Sequence, residues 1–94
     1  MKTIDYRPRK NGFPYKLLQY LYTNGKSSGV DAQEAIGLNK WADEKGSIFF
    51  SRASVNFDTI ISQLEKKELV NVLENDTYEL TKQGKVFVEN YKVR

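Results

Sequence analysis

Between Arg52 and Lys66 the chain spaces its polar side chains as one face of a helix would gather them. Val55, Thr59, Ser62 and Lys66 fall in a single row, with Arg52 and Gln63 beside it. Hydroxyls, an amide and two cations in such a row bind by hydrogen bonds and weak charge attraction. The row suits a flat surface or a groove, and the groove of DNA is the one to test. Little else in the sequence is reactive. It has no cysteine and no histidine, so thiolates, disulfides, zinc–sulfur sites and the commonest general base are all missing. The carboxylates are scattered among lysines, as on solvated helix faces, and no spacing suggests a metal site. Neither catalysis nor a cofactor is expected. Gly25-Lys26-Ser27 has the ending of a phosphate-binding loop. Tyr20 stands where that motif needs its first glycine, however, and a helix precedes it where a strand is required.

The row needs a firm support behind it. Phe57, Ile60, Ile61 and Leu64 recur at i, i+3, i+4 and i+7, the apolar stripe of a helix running toward Leu69. Its start is open between two caps, Ser51 and Ser54, and the choice decides whether Val55 faces a partner.

Charge is distributed unevenly. The chain carries 15 basic and 12 acidic residues, a net charge of +3. Lys2, Arg7, Arg9 and Lys10 against Asp5 place that whole excess on the first ten residues, and the rest is neutral. Residues 1–13 lack helical periodicity and are punctuated by Pro8 and Gly12, so they read as a basic arm, docked in part through Ile4 and Tyr6. Arg7, Pro8, Arg9 and Lys10 then have two readings. They contact phosphates or a minor groove, or they form a solvated terminus. The arm has no apolar core of a secretory signal and no run approaches a membrane span, so a cytoplasmic chain is expected. On that basis the Asn75-Asp76-Thr77 sequon carries no meaning.

The remaining 14–94 form one domain with a modest core. Pro14 suits the first turn of a helix holding Leu17, Leu18 and Leu21, which ends at Asn24-Gly25. Ser27 to Val30 reads as a short strand. Asp31-Ala32-Gln33-Glu34 reads as a capping box for a second helix with Ala32, Ala35 and Ile36 inward and a break at Gly37. Leu38 to Phe50 is the least regular stretch. Trp41 with Ile48, Phe49 and Phe50 makes either a satellite cluster under a long connection or a protein-binding surface. Leu69 to Leu80 alternates as a β-hairpin turning at Asn75-Asp76, and Thr81 caps a last helix with Val86, Phe87 and Tyr91. The expected core is Leu17, Leu18, Leu21, Val30, Ile36, Phe57, Ile60, Ile61, Leu64, Leu69, Val72 and Leu80. Tyr6, Phe13, Tyr15, Phe87 and Tyr91 either supply a two-fold interface or complete that core.

Two stretches carry a resemblance. Leu64-Glu65-Lys66-Lys67-Glu68-Leu69-Val70 resembles the end of the recognition helix and first wing strand of winged helix-turn-helix proteins. Tyr78-Glu79-Leu80-Thr81-Lys82-Gln83-Gly84 resembles the second wing strand, which in many repressors of the MarR and PadR type runs on as L-T-x-x-G. The resemblance covers roughly residues 14–91 and is closest over 54–88. It implies an α+β, mostly helical winged helix: a three-helix cluster, a hairpin wing and a C-terminal helix. It further implies a sequence-specific double-stranded DNA-binding transcriptional regulator, acting as a homodimer, with the helix around 52–67 in the major groove. Carried over by residue, base-edge contacts fall to Arg52, Asn56, Thr59 and Gln63, with Val55 against a thymine methyl. Phosphate contacts fall to Ser51, Ser54, Ser62, Lys66 and the arm cations Arg7, Arg9 and Lys10. The chain departs from the pattern in its long connection to Ser51 and in an acidic wing. Glu74, Asp76 and Glu79 surround the turn, which leaves only Asn75 and Thr77 to hydrogen-bond there. Winged helices also serve as protein-interaction modules, and that is the second function class the sequence admits.

Overall fold

The computed structural model describes residues 6–9, 12–38, 40, 41 and 50–91; for 50–55 it describes the backbone alone. The order is α1 (Phe13–Asn24), β1 (Ser27–Ser28), α2 (Gly29–Ala35), α3 (Phe50–Lys66), β2 (Val70–Leu73), β3 (Thr77–Leu80) and α4 (Lys82–Asn90). The fold is thus α+β and mostly helical, with one small antiparallel sheet in the order β1-β3-β2. Among the described residues no helix is long and apolar enough to cross a membrane.

The helices begin and end where backbone chemistry requires. Pro14 occupies the first turn of α1, where its missing N–H has no partner to lose. Gly25, at φ 79°, stops the helix and donates its N–H to Leu21 O at 2.8 Å. The α1 face made by Leu17, Leu18 and Leu21 is fully buried. α2 ends at Ala35, with Ile36 as its C-cap just before Gly37 at φ 87°. Beyond it Trp41 donates its N–H to Gly37 O, forming one more helical turn, and Leu38 within that turn is fully buried.

Five expectations about these elements change. α2 is capped by Ser28, whose hydroxyl accepts the Asp31 N–H at 3.2 Å, so Asp31 lies in the first turn and does not cap it. Val30 therefore belongs to the helix and not to a strand. It sits roughly 200° around the helix from Ala32, and it is 72% exposed while Ala32 is buried. Val72 is the second apolar residue to leave the expected core. It lies two residues nearer the turn than buried Val70, on the outer strand of the sheet, and is 44% exposed. Ala35 is also exposed. Finally, α3 already includes Phe50, so Ser51 and Ser54 are both interior to the helix and neither caps it.

The apolar stripe of α3 is as its spacing requires. Phe57, Ile60, Ile61 and Leu64 are all buried, together with Leu69, Val70, Tyr78, Leu80 and Val88. The helix ends in a paired-carbonyl stop: Leu69 N–H reaches Leu64 O at 3.0 Å, and Glu68 N–H reaches Glu65 O at 2.9 Å. Glu68 takes the left-handed conformation at φ 62° that this stop needs. The hairpin then runs back beside α3, pairing Val70 with Leu80, Asn71 with Glu79, Val72 with Tyr78 and Leu73 with Thr77. Asn75 and Asp76 turn at φ 58° and 52°, a conformation their short polar side chains tolerate.

Thr81 closes the base of the hairpin. Its hydroxyl accepts the Gly84 N–H at 2.8 Å, capping α4, and donates to Glu68 O at 2.6 Å; its own N–H donates to Leu69 O at 3.0 Å. Thr81→Val keeps the branched shape but loses both side-chain hydrogen bonds. It should lower stability by about 1–2 kcal/mol, read as a reduced urea midpoint with unchanged slope.

Candidate nucleic-acid interface

The outer face of α3 is assembled largely as its spacing predicts. Thr59, Ser62, Gln63 and Lys66 are exposed, and Asn56 is half-buried at the margin. Together with Asp58, four of them line a shallow open depression: Thr59, Ser62, Gln63 and Lys66. Ser51, Arg52, Ser54 and Val55 lie on the N-terminal turns of the same helix, but their side chains fall outside what is described. Lys10, Ile48 and Phe49 lie outside the described residues as well.

Asp58 is the residue that sequence reasoning did not single out. It places a carboxylate within the polar face, and the wing adds to it. Burial pushes the Tyr78 hydroxyl above its ordinary pKa, and the negative charges of Asp76 and Asp58 push it further. Both negative charges thus act on the Tyr78 hydroxyl. Two contacts position the elements that carry these charges. Tyr78 packs edge-on against Phe57, next to Asp58 in α3, with centroids 5.5 Å apart. The wing tip is tied to the start of α2 by the Gly29 N–H, which donates to Asp76 O at 2.8 Å.

The two wing residues expected to donate differ in availability. Asn75 is exposed at the tip. Thr77 is half-buried between β1 and β2, and its hydroxyl already donates to Asn75 O at 3.3 Å. Glu79 is less isolated than its sequence neighbourhood suggests. Extending the β1–β3 register by one step sets Lys26 opposite it.

The arm is anchored on α4 and on the residue that follows α3. Tyr6 stacks on Phe87 at 5.9 Å, Phe87 stacks on Tyr91 at 5.1 Å, and Tyr91 tilts against Tyr15 at 5.7 Å. The Tyr91 hydroxyl donates to Pro8 O at 2.7 Å, and the Lys67 ammonium sits 4.9 Å from the centre of the Tyr6 ring. Burial, and then the neighbouring Tyr91, raise the pKa of Tyr6. Tyr6, Tyr15, Phe87 and Tyr91 thus contact one another within one chain, where a two-fold interface was one of their two expected roles. Phe13 has its own partner, meeting Trp41 edge-on at 6.4 Å. Trp41 is half-buried and packs against the core. Arg7 and Arg9 are exposed on either side of buried Pro8.

Among the described residues no group of histidine, cysteine, aspartate or glutamate is arranged to hold a metal ion. No family model, curated protein or solved structure matches the chain.

Proposed function

We propose that this protein is a winged-helix, sequence-specific binder of double-stranded DNA acting as a transcriptional regulator, with α3 in the major groove. The carrying observation is the face of α3 that exposes Thr59, Ser62, Gln63 and Lys66 over a fully packed apolar back. A helix of this kind offers hydrogen-bonding side chains to base edges while the core holds its axis in place. The element order α1-β1-α2-α3-β2-β3, with β3 central in the sheet, accords with a winged-helix layout. Thr59, Gln63 and Asn56, with Arg52, read bases. Ser62, Lys66 and the arm arginines contact phosphates. The reading is of a non-enzymatic, cytoplasmic protein.

One observation favours a second reading. Asp58 lines the α3 face, the wing turn beyond it is acidic at Glu74 and Asp76, and both features repel phosphate. A winged helix that uses this surface for a protein partner has no such conflict.

Binding of the full chain to mixed-sequence duplexes, followed by fluorescence anisotropy at low salt, separates the two. On the DNA reading Lys66→Gln weakens all duplexes and lowers the salt slope by about 1. Asp58→Asn tightens all duplexes by roughly threefold, through loss of one nearby repulsion. Thr59→Ala and Gln63→Ala instead change the ranking of sequences. If wild type binds no duplex at low salt, the DNA reading is abandoned for the protein-partner one.

A further inference from the structure

The residues around Tyr6 carry a role that the α3 face does not require. An extended segment turns alternate side chains to opposite sides, and here Tyr6 and Pro8 face the protein while Arg7 and Arg9 face solvent. Two separate elements hold this segment. α4 supplies the Phe87 ring under Tyr6 and the Tyr91 hydroxyl to Pro8 O, and the end of α3 supplies Lys67 over the Tyr6 ring. A third contact fixes the far end, where the Gly12 N–H donates to Arg9 O at 3.0 Å. The arm is thereby held at both ends of the Arg7–Arg9 pair.

A lysine sits against a ring near each end of the segment. Lys67 lies against Tyr6, the residue before Arg7. Exposed Lys16 sits 5.8 Å from the ring of Phe13, which follows the glycine bonded to Arg9. Glu65 and Glu68 are the carboxylates nearest along the chain to Lys67, at the end of α3. The exposed Arg7 and Arg9 thus lie on a segment whose first ring, Tyr6, is touched by Lys67 of the α3 terminus, while Asp76 belongs to the wing turn.

We propose that the docked arm is a preset phosphate clamp, in which Tyr6 and Tyr91 are positioning residues that present Arg7 and Arg9, with Lys67 and Lys16, to the sugar–phosphate backbone of duplex DNA. This rests on the DNA-binding reading and adds to it the face that meets the backbone. An arm free in solution loses conformational entropy when it lands on DNA. An arm already docked has lost it before binding, so its arginines contribute more to affinity. Lys67 serves twice, fixing the Tyr6 ring by its charge and adding to the field that attracts phosphate.

The test is a double-mutant cycle on the full chain, measured by anisotropy against one duplex over a range of salt. Replacing both arginines (R7Q with R9Q) should weaken binding about 30-fold and lower the salt slope by about 2. Tyr6→Ala and Tyr91→Phe each leave the arginines in place and should still weaken binding by roughly three- to tenfold. Tyr6→Phe keeps the ring and should bind as wild type. The decisive quantity is coupling. On the Tyr6→Ala background the arginine pair should be worth only about fivefold, whereas a role in general stability leaves its worth at the wild-type value. Independent, multiplying effects, or a Tyr6→Ala protein that binds like wild type, overturn the clamp and leave the DNA reading standing. A wild type that binds no duplex overturns both.

Discussion

Gly84→Ala should cost this protein about 4 kcal/mol of stability and lower its melting temperature by roughly 20 °C. In an ordinary exposed helix the same change stabilises by about 1 kcal/mol, because alanine is the better helix former. Here the sign reverses. A Cβ at Gly84 would stand 2.1 Å from Leu69 O, 3.0 Å from Leu69 C and 3.3 Å from Leu69 Cα, all of them backbone atoms. No flexible side chain is available to swing aside. The carbonyl is also committed elsewhere, accepting the Thr81 N–H at 3.0 Å. Moving it away breaks the closing hydrogen bond of the hairpin. Moving α4 away instead breaks the bond from Gly84 N–H to the Thr81 hydroxyl. Urea denaturation measures the loss, with Lys85→Ala at the neighbouring exposed position as a control expected within about 0.5 kcal/mol of wild type. A Gly84→Ala protein as stable as wild type would show that α4 does not press on the α3–β2 junction.

That junction explains why the stretch from Leu80 to Gly84 was legible in the sequence. Leu80 is buried, Thr81 is the cap and Gly84 admits the Leu69 backbone, so each position has a local requirement that only a few residue types meet. The stripe of α3 and the glycine stops at Gly25 and Gly37 were legible for the same reason. What local rules misjudged depends on contacts distant in the chain. Ser28 and Asp31 are rival caps three residues apart. Ser28 prevails where β3 fixes the backbone ahead of α2, through the Ser27–Tyr78 and Ser28–Thr77 pairs and the bond from Gly29 N–H to Asp76 O. Val30 is carried to the surface by that choice. Tyr6 meeting Lys67 and Phe87, and Phe57 meeting Tyr78, are likewise set by packing between distant segments, and no spacing in the sequence announces them.

The same distant packing gives the candidate site its polarity. The described lining of the α3 depression sets Lys66 and Asp58 beside the uncharged Thr59, Ser62 and Gln63, and on the DNA reading proposed above such a lining chooses among sequences more than it attracts them. On that reading attraction comes from elsewhere, and the exposed Arg7 and Arg9 of the docked arm are the cations proposed to supply it. If the DNA reading holds, the salt dependence of binding is expected to be shallow from the body and steeper from the arm.

The second large effect concerns how α3 is held. Phe57→Ala should cost about 3–5 kcal/mol, a large part of the roughly 5–14 kcal/mol expected for a chain of this length. Phe57 is 1% exposed, so truncation removes a full aromatic ring from the interior. Three elements lose contacts together. The ring packs edge-on against Tyr78 of β3 at 5.5 Å and lies 3.5 Å from where a Gly29 Cβ would stand at the start of α2, while its own backbone belongs to α3. Tyr78 is in turn the residue that pairs across the sheet with both Ser27 and Val72. The cavity thus opens between the helix face and the wing, and collapse into it requires α3 to rotate or the hairpin to fold inward. Phe57→Leu fills most of the space and should cost about 1.5 kcal/mol or less. The difference between the two variants measures the ring's packing. Amide shifts confined to residues near Gly29, Phe57 and Tyr78 would show that the loss is local. If Phe57→Ala is destabilised by less than about 1 kcal/mol, the α3 axis is set by the remaining stripe of Ile60, Ile61 and Leu64. The candidate face would then keep its orientation without the wing behind it.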